Sequence, residues 1–456
     1  MLNKKLFNLS YIEIFLTISY LICWFSISTS FYDIKNFIEN ETRDLRLIIN
    51  FIRQFLNLII FPVLITLVVK EYRNIKFENE LLFAFASLYF IFQIPGLFLT
   101  NNSFINIIYI ISAINILLIF ILINIYFDEK KYLIFFYIVF LMLLLITILN
   151  YKTFVNFFYS ESSSTLYTFF TSSETFLGKQ SPRSTGSSRT LLLIMIISFL
   201  IFNKFFKKNY ILKCMIYISI STLILLFQSR TTLGLLIMFI LMNYIFEKNF
   251  SIKNFIKYFF IHILMPIFFL YLILYSKALI YNNKIYLNSL IDRDIKIKND
   301  IKLNLTTKFN LTEITNNFQR PIDPDTYSSG RLEDWRNILS KIDSSIYYGF
   351  GAQGDRFLIN QSASNGIIYA ASSSGIFGII PFIFFSILSA WIVLKTLFKN
   401  IKLNKMIINY SALIIILLLI RSILESSYAV FSLDFIVIYT FLNYLNKFFF
   451  KSNNGN

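Results

Sequence analysis

Arginines and carboxylates that interrupt apolar sequence are the groups with which this chain could do chemistry. The densest stretch, Ser328 to Gly378, reads SSGRLEDWRNILSKIDSSIYYGFGAQGDRFLINQSASNGIIYAASSSGIFG. Leu332, Trp335, Leu339 and Ile342 recur at helical spacing, so 331–343 is expected to form an amphipathic helix at an outer membrane surface. Ser329 or Gly330 would cap it and leave Arg331 at its N-terminus, where open N–H groups and the helix dipole favour a phosphate. The competing arrangement is a local Arg331–Asp334 pair, worth about a few tenths of a kcal/mol. Gly349, Gly351 and Gly354 spell G-x-G-x-x-G, but a dinucleotide site needs a βαβ context and an acidic residue about 20 positions on. A tight turn presenting Asp355 and Arg356 is expected instead.

Three further places carry the same chemistry. Arg230, in Gln228-Ser229-Arg230-Thr231-Thr232, breaks nearly continuous apolar sequence from 211 to 247. A charge at that depth is a candidate for function, the alternative being a simple polar turn. Arg421 and Glu425 stand one helical turn apart with Asp434 just beyond, either as a structural ion pair or as part of an outer site. Ser181 to Arg189 adds Arg183 and Arg189 in a Ser/Gly-rich segment whose other reading is a flexible linker. Guanidinium forks grip phosphate oxygens in pairs, so these arginines point as a set to an anionic ligand. Proton transfer falls to carboxylates: Asp323, Asp325, Glu333, Asp334, Asp355, Glu425 and Asp434. The single histidine, His262, lies in an apolar run, and Cys23 and Cys214 do likewise. No Ser–His–Asp triad, multi-His metal site or disulfide framework can be assembled, and neither metal nor cofactor is expected.

The elements that must position these groups follow from composition. Of 456 residues, 56% are hydrophobic and 15% charged, with 54 phenylalanines and a mean hydropathy of +0.65. Soluble domains carry about 25% charge, so too little is present here to cover a water-facing surface. The phenylalanine content excludes a disordered linker protein. An all-α integral membrane protein is expected. Runs long enough to cross hydrocarbon fall near 9–30, 49–69, 80–99, 104–127, 132–150, 190–206, 211–228, 232–247, 258–280, 370–398, 407–424 and 430–449. The first of these reads as a retained anchor rather than a cleaved signal. Pro62, Pro95, Pro266 and Pro381 fall inside these runs, where kinks would open a cleft.

The net charge of +17 is placed as membrane topology requires, which argues against a nucleic-acid partner. With the N-terminus in the cytoplasm, Lys4-Lys5 and the clusters at 70–76, 130–131, 204–213, 248–257, 395–405 and 447–451 all fall inside, and so does the C-terminus. The expected organisation is nine spanning helices within 1–280, with an outer Ser-rich loop at 151–189. A large outer loop at 281–369 carries short amphipathic helices, and three more spans occupy 370–456. Within 282–366, 11 Lys/Arg face 10 Asp/Glu, so that loop is nearly charge-balanced. The chain has 13 Arg against 29 Lys, and only Arg73 falls inside. Either cation serves topology, so arginine kept outside indicates a need for its planar fork.

Several of these residues resemble the O-antigen ligase/polymerase family of bacterial envelope glycosyltransferases. The similarity covers roughly 180–440. It rests on Gln228-Ser229-Arg230-Thr231, on Ser329-Gly330-Arg331-Leu332 with Trp335, and on the Gly349-Phe350-Gly351 turn. Ser372 to Gly378 leading into an apolar helix, and Arg421-Ser422 with Glu425, add to it. Ligases of the family usually carry a histidine in the large outer loop. Here Ser362-Ala363-Ser364-Asn365-Gly366 has none, and Gln353-Gly354-Asp355-Arg356-Phe357-Leu358 looks like the polymerase branch.

The resemblance implies metal-independent glycosyl transfer on the periplasmic face of the bacterial inner membrane. A growing glycan on undecaprenyl pyrophosphate would pass to the non-reducing end of a new lipid-linked repeat unit. Arg230, Arg331 and Arg356, with Arg183, Arg189 and Arg421, would bind pyrophosphate. Glu333, Asp355 or Glu425 would take the acceptor proton, their order left open. A flippase and a chain-length regulator are the partners the resemblance implies. A ligase is the close alternative. A multi-span transporter is a more distant one, since here the charges gather at helix ends and one outer loop dominates.

Overall fold

The computed structural model describes residues 9–27, 45–74, 80–99, 103–149, 185–227, 229–246, 256, 259–276, 331–360, 362–403, 406–425 and 432–450. Among them every regular element is helical and none is a strand. The first five helices are α1 (Tyr11–Ile27), α2 (Leu45–Lys70), α3 (Glu80–Ile91), α4 (Ser103–Tyr126) and α5 (Glu129–Leu149). Next come α6 (Thr185–Ile201), the short α7 (Asn203–Lys208), α8 (Tyr210–Leu226), α9 (Arg230–Phe246) and α10 (Phe260–Ser276). The last five are α11 (Arg331–Ile342), α12 (Gly354–Ile359), α13 (Gly366–Leu403), α14 (Met406–Leu424) and α15 (Leu433–Tyr444).

Each apolar run named above contains a helix. Among the described residues three stretches, Glu129–Ile148, Gly366–Phe398 and Met406–Leu424, are long and apolar enough to cross a membrane, and eight further apolar helices are shorter. Sequence sets where several of them start. Ser10 and Glu13 form a reciprocal cap on α1: Ser10 N donates to Glu13 Oε2 at 2.7 Å and Glu13 N to Ser10 Oγ at 3.3 Å. The Ser432 hydroxyl accepts from Phe435 N and starts α15, and Asn365 Oδ1 accepts from Ile367 N and Ile368 N to start α13.

The centre of the bundle is α14 and α15. Residues 408–415 of α14 and all of α15 are buried. Around them α13, α9 and α6 pack on α14, α6 also lies against α5 and α8, and α3 lies along α13. A buried polar seam ties α15 to α1, α4 and α5. Tyr20 Oη and Thr440 Oγ1 are 2.7 Å apart, Tyr132 Oη donates to Thr440 O, and Asn124 and Asn443 exchange amide hydrogen bonds at 3.0 and 2.9 Å. Polar groups in an apolar bundle must satisfy one another, and pairs of this kind are worth about 0.6–2 kcal/mol each.

Helix α13 is broken at Gly375, whose φ of 59° and ψ of −160° are not helical. The chain just before α12 lies along the break, backbone against backbone. Phe350 N donates to Ser372 O at 2.8 Å and Gly351 N to Ser373 O at 2.9 Å, while Ile376 N donates to Ile346 O. A Cβ at Gly349 would run into the backbone of Ser373 to Gly375, and one at Gly375 into Tyr347. Gly349 and Gly351 also hold positive φ. Glycine is required here so that two chain segments can touch, and the turn expected from the sequence takes this form.

Candidate functional site: an arginine-rich cluster at one end of the bundle

Five charged side chains from four helix ends form one continuous chain of ion pairs. Asp434, in the first turn of α15, bridges two arginines. Arg189 Nη1, near the start of α6, is 3.2 Å from its Oδ1, and Arg421 Nη1, in the last turn of α14, donates to its Oδ2. Arg421 Nη2 also lies 3.8 Å from Glu425 Oε2, and Arg331 Nη2, at the first residue of α11, donates to Glu425 Oε1 at 2.8 Å. The order is Arg189–Asp434–Arg421–Glu425–Arg331. Exposure is lowest in the middle: Asp434 and Arg421 are buried at 1% and 5%, Glu425 keeps 13%, and the two ends, Arg331 and Arg189, keep 18% and 20%. The centre is sealed in protein, and both ends reach the surface.

Local sequence explains each placement. Arg421 at a helix C-terminus and Asp434 at an N-terminus sit where the dipoles favour their charges. Arg331 is the opposite case, a cation at an N-terminus, and it acquires a carboxylate at once. The local Arg331–Asp334 pairing considered from the sequence gives way to Glu425, 94 positions away. Two hydrogen bonds on Ala363 brace α11 and α12 against the start of α13. Trp335 Nε1 donates to its carbonyl at 2.7 Å, and its N–H donates to Asp355 Oδ2 at 2.8 Å. Asn365 Nδ2 donates to Ile423 O, which ties α13 to the end of α14.

The other expected site residues are distributed as follows. Asp355 is buried, and its Oδ1 accepts from Arg356 N at 2.9 Å, so both oxygens serve backbone amides rather than the surface. Burial holds its carboxyl above the ordinary carboxylate range, against the lowering effect of those amides. The turn thus presents Arg356, which is exposed, and turns Asp355 inward. Glu333 is exposed in the first turn of α11. Arg230 is exposed at the first residue of α9, after a Ser229–Thr232 hydroxyl contact of 3.0 Å. Chain reversal through α6, α8 and α9 returns it to the end where α6 begins. Arg183, with the capping residues Ser329 and Gly330, lies outside the described residues. His262 is buried with its ring centroid 4.1 Å from that of Tyr217, a packed helix residue as expected.

Three guanidinium groups against two carboxylates leave the cluster one positive charge in excess. Among the described residues Arg189 Nε is buried without a hydrogen-bond acceptor. Such a site can hold an anion and stabilise charge that develops on a departing one. Among the described residues no three His, Cys, Asp or Glu side chains gather as metal ligands. Sequence reasoning named Asp434 only as an acid near the site and missed that it joins two arginines. Its signal was a carboxylate two residues after a serine cap, directly following Arg421 and Glu425. No family model, curated protein or solved structure matches this chain.

Proposed function

We propose that this chain is a twelve-span glycosyltransferase of the bacterial inner membrane, similar to O-antigen polymerases, with both termini in the cytoplasm. Its substrates are undecaprenyl-pyrophosphate-linked repeat units, which it joins on the periplasmic face. The observation that carries this reading is the convergence of Arg189, Arg331 and Arg421, far apart in sequence, on two carboxylates at one end of an apolar bundle. Buried arginine in an apolar chain is expensive unless it serves a ligand or a partner.

In the reaction, a hydroxyl at the non-reducing end of the acceptor attacks the anomeric carbon of the donor glycan. The bond from that carbon to the phosphate oxygen breaks, and lipid pyrophosphate leaves with the electron pair. Arg331 stabilises the leaving charge, and the exposed Arg230 and Arg356 add to it. Glu425 takes the hydroxyl proton. It is favoured over Asp355, whose oxygens are engaged by backbone amides, and over Glu333, which is exposed and stands outside the chain of ion pairs. Lipid tails approach through the apolar flanks, and a flippase and a chain-length regulator are the partners this function requires.

The test is a knockout in the source organism, complemented with wild type, Arg331→Lys or Arg230→Lys at equal membrane abundance, with surface glycan resolved on a gel. A ladder with wild type and a single-repeat band with Arg331→Lys is expected. Polymer accumulating on its lipid carrier without reaching its acceptor in the knockout would make the protein a ligase instead. An unchanged ladder in the knockout would end both readings.

A further inference from the structure

Glu425 is the only residue of the cluster held between two arginines at its open edge. Its Oε1 accepts from Arg331 Nη2 at 2.8 Å and its Oε2 faces Arg421 Nη2 at 3.8 Å. A carboxylate bound side-on by two guanidinium groups occupies the position that two oxygens of a phosphate would take. Asp434 differs, because it is sealed at 1% exposure and pairs with Arg189 and Arg421. Glu425 also follows the last residue of α14, where the helix has ended and a side chain can swing away without unwinding a turn.

We infer that Glu425 is a displaceable occupant of the anion seat: an incoming pyrophosphate takes Arg331 from it. This rests on the reading that the cluster receives a lipid-linked pyrophosphate, and it adds an order of events. While the seat is empty of substrate, both Glu425 oxygens are engaged by arginine. When phosphate takes Arg331, one oxygen is released beside the bound donor, ready to accept the acceptor's proton. The proton acceptor thus becomes available only after the donor is seated, which suppresses wasteful transfer to water. Arg421, still tied to Asp434, keeps the released carboxylate close.

The experiment measures binding of farnesyl pyrophosphate, a short soluble prenyl pyrophosphate, to the purified full chain in nanodiscs by calorimetry. Turnover of a lipid-linked repeat unit is measured in parallel. Removing the competing charge in Glu425→Gln is expected to tighten probe binding by about ten-fold while turnover falls by about a hundred-fold or more. Equal or weaker probe binding in a folded Glu425→Gln protein overturns the displacement idea, because a merely structural glutamate would loosen the site when neutralised. Should that variant fail to fold, Glu425→Asp, with its shorter reach to Arg331, is expected to bind the probe several-fold more tightly, and unchanged binding there overturns the idea equally. Tighter probe binding with no glycan transfer by wild type keeps the anion seat and removes the polymerase reading. Transfer by wild type with unchanged probe affinity in the variants does the reverse.

Discussion

The two ends of the bundle use charge in different ways, and α15 connects them. Asp434 begins that helix and Lys447 lies 13 residues on, about 20 Å along a helix axis. At the Lys447 end, charge finishes the fold. Lys447 Nζ donates to Phe127 O, just past the end of α4, and at 3.3 Å to Ile123 O, which also accepts from Phe127 N. Glu13 caps α1 and pairs with Lys131 at 2.6 Å, Tyr126 donates to Glu71, and Tyr444 donates to Glu129. Lysine and tyrosine do this work, and each acid meets a neighbour it would need in any helical bundle. In the cluster around Asp434 the cations are all arginine, they outnumber the acids, and two buried donors, Arg189 Nε and Arg421 Nε, make no hydrogen bond among the described residues. Helix ends do not require that excess. The difference separates charge that closes a fold from charge that waits for a ligand.

The contrast is most exposed to a loss of Asp434. Asp434→Ala removes the counter-ion that Arg189 shares with the buried Arg421, and about 3–5 kcal/mol of stability should go with it. Thermal unfolding in detergent measures this, and a loss no larger than that of Glu13→Ala would remove the distinction between the ends. Next in size is Asp355→Ala, which orphans the Ala363 amide that holds α12 to the start of α13 and costs about 1–3 kcal/mol in mild acid. A folded-state carboxyl raised by burial holds its proton more tightly than in the unfolded chain, so its contribution is present in acid and lost as pH rises through the raised value. The gap between wild type and Asp355→Ala should therefore narrow from acid to neutral pH, and a widening gap would contradict the burial argument. Smallest is Glu13→Gln, which keeps a capping acceptor and loses a partly exposed pair worth about 0.5 kcal/mol. Activity should not change, and a loss of turnover there would show that the lysine-bearing end also takes part.

Local features of this architecture were legible in the sequence and tertiary ones were not. The helical spacing of Leu332, Trp335, Leu339 and Ile342 announced α11, but the residues it buries are Ile338 and Ile342, and Leu339 is half exposed. Arg421 and Glu425 announced themselves as an i,i+4 pair. The Arg331–Glu425 and Arg189–Asp434 pairs did not, since they join helix ends that only packing brings together, and spacing offered Asp334 to Arg331 instead. Asp355 looked like a catalytic acid because burial and the direction of a side chain are not written in a turn motif. The break at Gly375 lay in a visible Ser-Ser-Ser-Gly run, yet its pairing with 346–351 depends on backbone contacts between separate segments. Hydropathy located the apolar helices, and among the described residues three of them are long enough by themselves to meet the length of a membrane crossing.

The central claim is that the arginine-rich end transfers glycan from lipid pyrophosphate, and the most direct test is product length. Purified wild type and Arg331→Lys, reconstituted in nanodiscs, would be given an undecaprenyl-pyrophosphate-linked repeat unit, and the products separated by size. Wild type should yield a ladder of multiples with release of lipid pyrophosphate. Arg331→Lys should unfold within about 1 kcal/mol of wild type yet lose about a hundred-fold or more in turnover, because a single ammonium does not replace a two-pronged donor. A ladder made equally well by Arg331→Lys, or no elongation by folded wild type, would contradict the account.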